Sequence, residues 1–202
     1  MINDYASLQT AIATTLHRND LTALIPVFIA DAEERIYNDI RIQAMEASYS
    51  QAIASGVVTI PAGFLEWKFL YVDGSSAHKL TRKSAEWIYT NYPTRAAEGT
   101  PVFFAREGGS LIFGPYPTDG LTVKGLYYKR LPALSDSNTT NWLIENAPDL
   151  LRYAALTEAA VHTRDADAHQ LFDGKTVQLV KRVQRTDDRE AFSGSVLSVT
   201  RG

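Results

Sequence analysis

The run Ile25-Pro26-Val27-Phe28-Ile29-Ala30-Asp31-Ala32-Glu33-Glu34-Arg35-Ile36-Tyr37-Asn38-Asp39-Ile40 gives way, after Met45, to Ser48-Tyr49-Ser50-Gln51-Ala52-Ile53 and Val57-Val58-Thr59-Ile60. In the first run Ile25, Phe28, Ile29, Ala32, Ile36 and Ile40 recur at helical spacing and predict one buried face. Asp31, Glu34, Arg35, Asp39 and Arg41 fall mostly on the opposite face, and Glu33-Glu34 reads as a pair of exposed, divergent helix charges. Pro26 suits the first helical turn, where its missing N–H costs nothing. Beyond Met45 the pattern turns β-like, and Ala54-Ser55-Gly56 predicts a hairpin between two strands. This switch of pattern decides the fold class, and the rest of the chain repeats it in reverse.

Towards the N-terminus, Asp4 is a predicted N-cap for a helix carrying Tyr5, Leu8, Ile12 and Leu16 on its apolar stripe, and Asn19-Asp20 breaks that helix and caps the next. Towards the C-terminus, Trp67 to Val72 predicts a strand ended by Asp73-Gly74-Ser75-Ser76. Ser84 is a predicted cap for a short helix over 85–91, stopped before Pro93. Val102 to Arg106 and Ser110 to Phe113 flank Gly108-Gly109 as a hairpin. Leu121 to Arg130 predicts a long strand with Leu121, Val123, Gly125 and Tyr127 on one face. Pro148-Asp149 then opens a helix with Leu150, Leu151, Ala154, Ala155, Ala159 and Ala160 as packing groups. Asp165 caps the next, whose inner face is Ala168, Phe172, Thr176, Leu179, Val180 and Val183, with Gly174 expected to loosen or kink it. The predicted class is α+β: a helical core, 1–46 and 140–190, around an inserted antiparallel β-rich domain, 47–139, with an extended C-terminal tail, 191–202.

Composition narrows function. The chain has 202 residues, with Lys+Arg 20 against Asp+Glu 23 and a net charge of −3. This is a globular composition and not the basic balance of a nucleic-acid-binding domain. Cys is absent, which excludes disulfides, thiolate metal sites and cysteine nucleophiles. The N-terminus lacks the pattern of a signal peptide, and no apolar run is long enough to span a membrane.

Motifs for chemistry are weak. Asp173-Gly174-Lys175-Thr176 ends like a phosphate-binding loop, but His169 stands where the first Gly belongs and no strand precedes it. Ser76-Ala77-His78-Lys79 fits Ser-x-x-Lys without its partner motifs. His162, Asp165, Asp167, His169 and Asp173 cluster in sequence, with a solvated helix junction and a capping Asp favoured over a metal site. No cofactor motif is found. Trp67, Phe69, Tyr71, Trp87, Tyr89, Tyr92, Phe103, Phe104, Phe113, Tyr116, Tyr127 and Tyr128 crowd the β block, where sheet core and subunit interface are favoured over a sugar-stacking face. Lys181, Arg182 and Arg185 form a basic patch near the end of the last helix. Complementarity to the helix dipole or a protein partner is favoured there over an acidic ligand or DNA backbone, because Asp187, Asp188 and Glu190 dilute it.

Three further stretches matter in combination. They are Gly99-Thr100-Pro101 followed by Gly108-Gly109-Ser110-Leu111-Ile112-Phe113-Gly114-Pro115-Tyr116-Pro117, then Tyr127-Tyr128-Lys129-Arg130-Leu131-Pro132-Ala133-Leu134-Ser135-Asp136, and Thr140-Asn141-Trp142-Leu143-Ile144-Glu145-Asn146-Ala147-Pro148-Asp149-Leu150-Leu151. With Ala32 to Arg41 ahead of them, their order and spacing resemble the head-to-tail adaptor proteins of short-tailed bacteriophages. The resemblance implies a structural virion protein and not an enzyme. Such a protein forms a ring, usually twelvefold, beneath the portal protein. It extends the channel for double-stranded DNA without binding it specifically, and it carries nozzle and tail-fibre proteins. The tail would dock on the portal, with Phe192, Val196, Leu197 and Val199 as apolar anchors and Arg201 beside them. The rival readings are a virion-associated cell-wall hydrolase and a carbohydrate-binding β-rich module.

Overall fold

The protein is described by a computed structural model covering residues 1–74, 78–94 and 98–191. Its elements are α1 (Tyr5–Leu16), α2 (Ile25–Asp39), β1 (Glu46–Ala52), β2 (Val57–Thr59), β3 (Phe64–Asp73), β4 (His78–Lys79), β5 (Thr81–Arg82), α3 (Ala85–Asn91), β6 (Glu98–Gly99), β7 (Phe103–Glu107), β8 (Ser110–Gly114), β9 (Tyr116–Pro117), β10 (Thr122–Lys129), α4 (Trp142–Asn146), α5 (Pro148–Thr163) and α6 (Ala166–Ala191). The class is α+β. Two compact units are present: Met1–Ala44 with Leu131–Gly202, and Met45–Arg130.

In the first unit, α1 begins at Asp4, whose carboxylate accepts from the Ser7 N–H at 2.7 Å while the Ser7 hydroxyl accepts from the Asp4 N–H. This reciprocal capping box satisfies two donors that the first helical turn leaves free. The apolar face of α2 forms as its spacing predicts, with Ile25, Phe28, Ile29, Ala32, Ile36 and Ile40 all buried. Asn19-Asp20 does not simply cap α2; residues Asn19–Leu24 form a 3₁₀ segment that leads into it. The small and branched side chains of α5 bring it close to its neighbours, and Leu150, Leu151, Ala154, Ala155, Leu156, Ala159 and Ala160 are buried. The helix α6 runs continuously through Gly174 to Ala191. Its expected inner face is correctly oriented but only half-buried, Thr176 excepted. The tail positions Phe192, Val196, Leu197, Val199 and Arg201 lie outside the described residues.

The second unit holds two sheets. One has the order β1-β10-β3-β4 and is antiparallel; the other has the order β2-β8-β7-β5, and β6 pairs with β9 separately. The expected antiparallel β block forms, and two short parallel pairs add to it, β5 with β7 and β6 with β9. The Gly108-Gly109 hairpin forms as expected between β7 and β8. The Ala54-Ser55-Gly56 turn also forms, with Ser55 and Gly56 at φ of +53° and +72° and an isolated bridge from Ala54 to Val57. It does not make a hairpin, because β1 pairs with β10 and β2 with β8, so the turn passes the chain from one sheet to the other. Tyr49, Leu70, Val72, Val123 and Tyr127 from the first sheet share one core with Val58, Phe104, Leu111 and Phe113 from the second. The far side of the second sheet is covered by α3, through Ile88 against Ala105 and Ile112. The Ser84 hydroxyl caps α3 by accepting from the Trp87 N–H.

At the centre of the first sheet Gly125 faces Tyr49 on one neighbouring strand and Leu70 on the other. A Cβ there would sit 2.2 Å from the Phe69 carbonyl oxygen and 2.8 Å from Leu70 Cδ2. Backbone contact at that range leaves no room to yield, so Gly125→Ala should destabilise the protein by about 3 kcal/mol. Urea denaturation measures this, and an unchanged midpoint would contradict the close approach.

Candidate functional site

The helical unit is assembled from two segments far apart in the chain, and polar groups join them. Glu33, expected on the solvent face of α2, is only 3% exposed. Its Oε1 accepts from Asn141 Nδ2 at 3.0 Å and its Oε2 from the Leu134 N–H at 3.3 Å. The Tyr37 hydroxyl lies 3.4 Å from the same Oε1 and 3.3 Å from the Leu131 carbonyl, so its single proton serves one or the other. The Asn141 amide is fully engaged, since Nδ2 also donates to the Pro132 carbonyl and Oδ1 accepts from the Ile144 N–H to cap α4. Glu33 therefore ties α2 to the 131–141 segment and to the start of α4. Its neighbour in sequence, Glu34, is exposed, so the two carboxylates do diverge, but into very different surroundings. The missed signal was a position effect: Glu33 sits at the edge of the apolar stripe, one step from Ala32 and three from Ile36.

Burial raises the Glu33 carboxyl above its ordinary value of 4.5, more than the donated hydrogen bonds lower it. Burial beside Glu33 also pushes the Tyr37 hydroxyl up. A second set of contacts lies at Arg35, which pairs with Asp173 of α6 and, at 3.5 Å, with Glu158 of α5. Further along, Gln184 donates to the Asp39 carbonyl at 3.1 Å, and Asp187 accepts from the Gln43 N–H at 2.9 Å.

These contacts dispose of most of the sequence cluster at 162–173. The His162 ring packs 5.5 Å from Phe28. Asp165 caps α6 by accepting from the Ala168 N–H, and Asp173 is held by Arg35. Among the described residues no group of His, Asp and Glu converges as a metal site would require. The stretch resembling the end of a phosphate loop lies inside α6, with Thr176 buried and its hydroxyl donating to the Phe172 carbonyl. Of the Ser-x-x-Lys stretch, Ser76 lies outside the described residues. The aromatic residues serve chiefly as core: Trp67 packs 4.9 Å from Tyr49 and 4.6 Å from Phe64, and Trp87 packs 4.8 Å from Phe103. Phe69 and Tyr89 are the large aromatics left exposed among the described residues. Lys181, Arg182 and Arg185 are all exposed on α6. They are not at its end. The helix continues to Ala191, and the dipole acts only within the last turn, so complementarity to it does not account for the patch.

The sequence model of the SU10 adaptor protein family matches residues 3–199. The chain belongs to that family. It is a family of phage head-to-tail adaptors, so the chain is a structural phage adaptor protein, associated with other head and tail proteins and with the virion. Comparison with curated proteins returned no match. Among the described residues no helix is long and apolar enough to cross a membrane.

In this adaptor, Glu33 carries a testable consequence. The folded carboxyl binds its proton more tightly than the unfolded one. Its contribution is therefore full below the ordinary 4.5 and is lost as pH rises through the raised folded value. The stability advantage of wild type over Glu33→Gln should fall between pH 4 and pH 7 in urea titrations; a flat difference would contradict it. Glu33→Ala, which strands the buried donors, should cost about 3 kcal/mol near pH 4 and less as pH rises through the same window.

Proposed function

We propose that this adaptor assembles as a ring below the portal protein and acts as a joint and not as a catalyst, extending the DNA channel and carrying nozzle and tail-fibre proteins. The observation that carries the reading is the family match over 3–199, which spans both halves of the helical unit, the β-rich unit and most of the tail. In this reading the helical halves, 1–46 and 140–190, form the ring core, usually twelvefold in such assemblies, and the inserted block, 47–139, presents sheet faces to neighbours. The chain carries material for such contacts: Val27, Val161, Leu171 and Val177 are large apolar side chains left exposed on its helices. A closed ring repeats one heterologous contact, so each subunit needs two different complementary faces.

The tail, 191–202, supplies the portal contact in this reading, through Phe192, Val196, Leu197, Val199 and Arg201. A short segment mixing such anchors with Ser and Gly suits docking on a partner. Double-stranded DNA passes through the ring without specific binding. Deleting 193–202 should abolish co-migration with the portal protein in size-exclusion chromatography while leaving the thermal unfolding midpoint within a degree or two. Retained co-migration would remove the tail assignment. Electron micrographs of the full chain mixed with portal should show rings, and a chain that stays monomeric there would overturn the adaptor-ring reading itself.

A further inference from the structure

We infer that the outward face of the C-terminal half of α6 is a contact surface for the phosphate backbone of duplex DNA. Positions 175, 178, 182, 185 and 189 recur at three- and four-residue steps and share one side of the helix. They are Lys175, Gln178, Arg182, Arg185 and Arg189, with Lys181 in the adjacent row, and every one is exposed. From Lys175 to Arg189 the row is about 21 Å long at 1.5 Å per residue. None of these cations makes an ion pair among the described residues, whereas Arg35, Arg152 and Lys124 do.

Of the acidic residues near the patch, two are engaged by other parts of the unit. Asp187 accepts from the Gln43 N–H, on the side of α6 that faces the rest of its unit. With Glu190 and Arg182 it lines a cleft of about 350 Å³ beside Trp142, Leu150 and Leu179, so Arg182 borders both the cleft and the row. Asp173 is held by Arg35. Asp188 and Glu190 are exposed beside five exposed cations, so the face stays cationic on balance. A protein in net deficit of positive charge has thus gathered unpaired cations along one rigid edge.

The choice of partner follows from what the row lacks. A stable protein interface needs a dry apolar or aromatic centre, with exposed ion pairs adding little. Between 175 and 189 the row itself holds Gln178 and cations, and Val177 stands to one side. A polyanion needs no such centre, because each phosphate neutralised releases condensed counterions. Arg and Lys at spacings of one helical turn match a chain of phosphates without reading sequence. The contact deepens the adaptor reading, yet it can fail separately from it.

The test is fluorescence anisotropy of the full chain with a 30-base-pair duplex of arbitrary sequence. Binding should be indifferent to sequence and weaken about a hundredfold between 50 and 200 mM salt, as expected for about four phosphates. Combined Arg182→Gln, Arg185→Gln and Arg189→Gln should weaken binding at 50 mM salt at least tenfold and flatten the salt dependence. Asp188→Asn should strengthen it. An unchanged circular dichroism melt checks that the variants fold, and restoring charge with Lys at the same positions should recover most of the affinity. No binding at 50 mM salt, or binding unaffected by the triple variant, overturns the inference. So does a triple variant that binds DNA normally but no longer co-migrates with portal, which makes the row a protein-docking face. Ring formation on portal is scored in parallel, so failure here leaves the adaptor reading standing.

Discussion

The helical unit depends on closing a long gap in the chain. Its N-terminal part ends at Ala44 and its C-terminal part resumes at Leu131, with the entire β-rich unit between. Nothing local holds the two parts together, and closing so long a loop carries an entropic cost before any contact is gained. The contacts that hold it closed join residues a hundred or more positions apart: Glu33 with Leu134 and Asn141, Arg35 with Asp173, and Gln43 with Asp187. The apolar face of α2 provides most of the burial, but it is non-directional. The buried carboxylate adds direction, because its lone pairs require particular donors at particular places. A hydrocarbon at position 33 would bury as readily and leave the Leu134 N–H and the Asn141 amide without that partner.

The β-rich unit solves a different problem. Its strands must be shared between two sheets that enclose one core, and the tight turn at Ser55-Gly56 sends consecutive strands into different sheets. The glycine at 125 permits the central strand to pass close to its neighbour, and the aromatic cluster of Tyr49, Phe64, Trp67 and Tyr127 fills the end of the same core.

The residues that cluster in sequence near the start of the last helix have structural partners: Asp165 stabilises a helix start, Asp173 anchors an arginine, and His162 rests on a phenylalanine. Family membership points towards contacts with other phage head and tail proteins, and the cationic face of α6 is inferred to add a contact with DNA.

Much of the architecture was legible in local pattern. The apolar stripes of α1, α2 and α5, the serine cap of α3 and the Gly108-Gly109 hairpin depend on residues within a few positions of one another, so spacing alone reveals them. The family resemblance was legible for the same reason, since it rests on ordered short stretches. Strand partners were not legible, because pairing β1 with β10 and β2 with β8 depends on which sheet each strand can complete. Nor was the burial of Glu33, nor the capture of Asp187 by the Gln43 N–H. Charge is written residue by residue, but its environment is set by whatever folds against it from elsewhere in the chain, and that is decided only when distant segments meet.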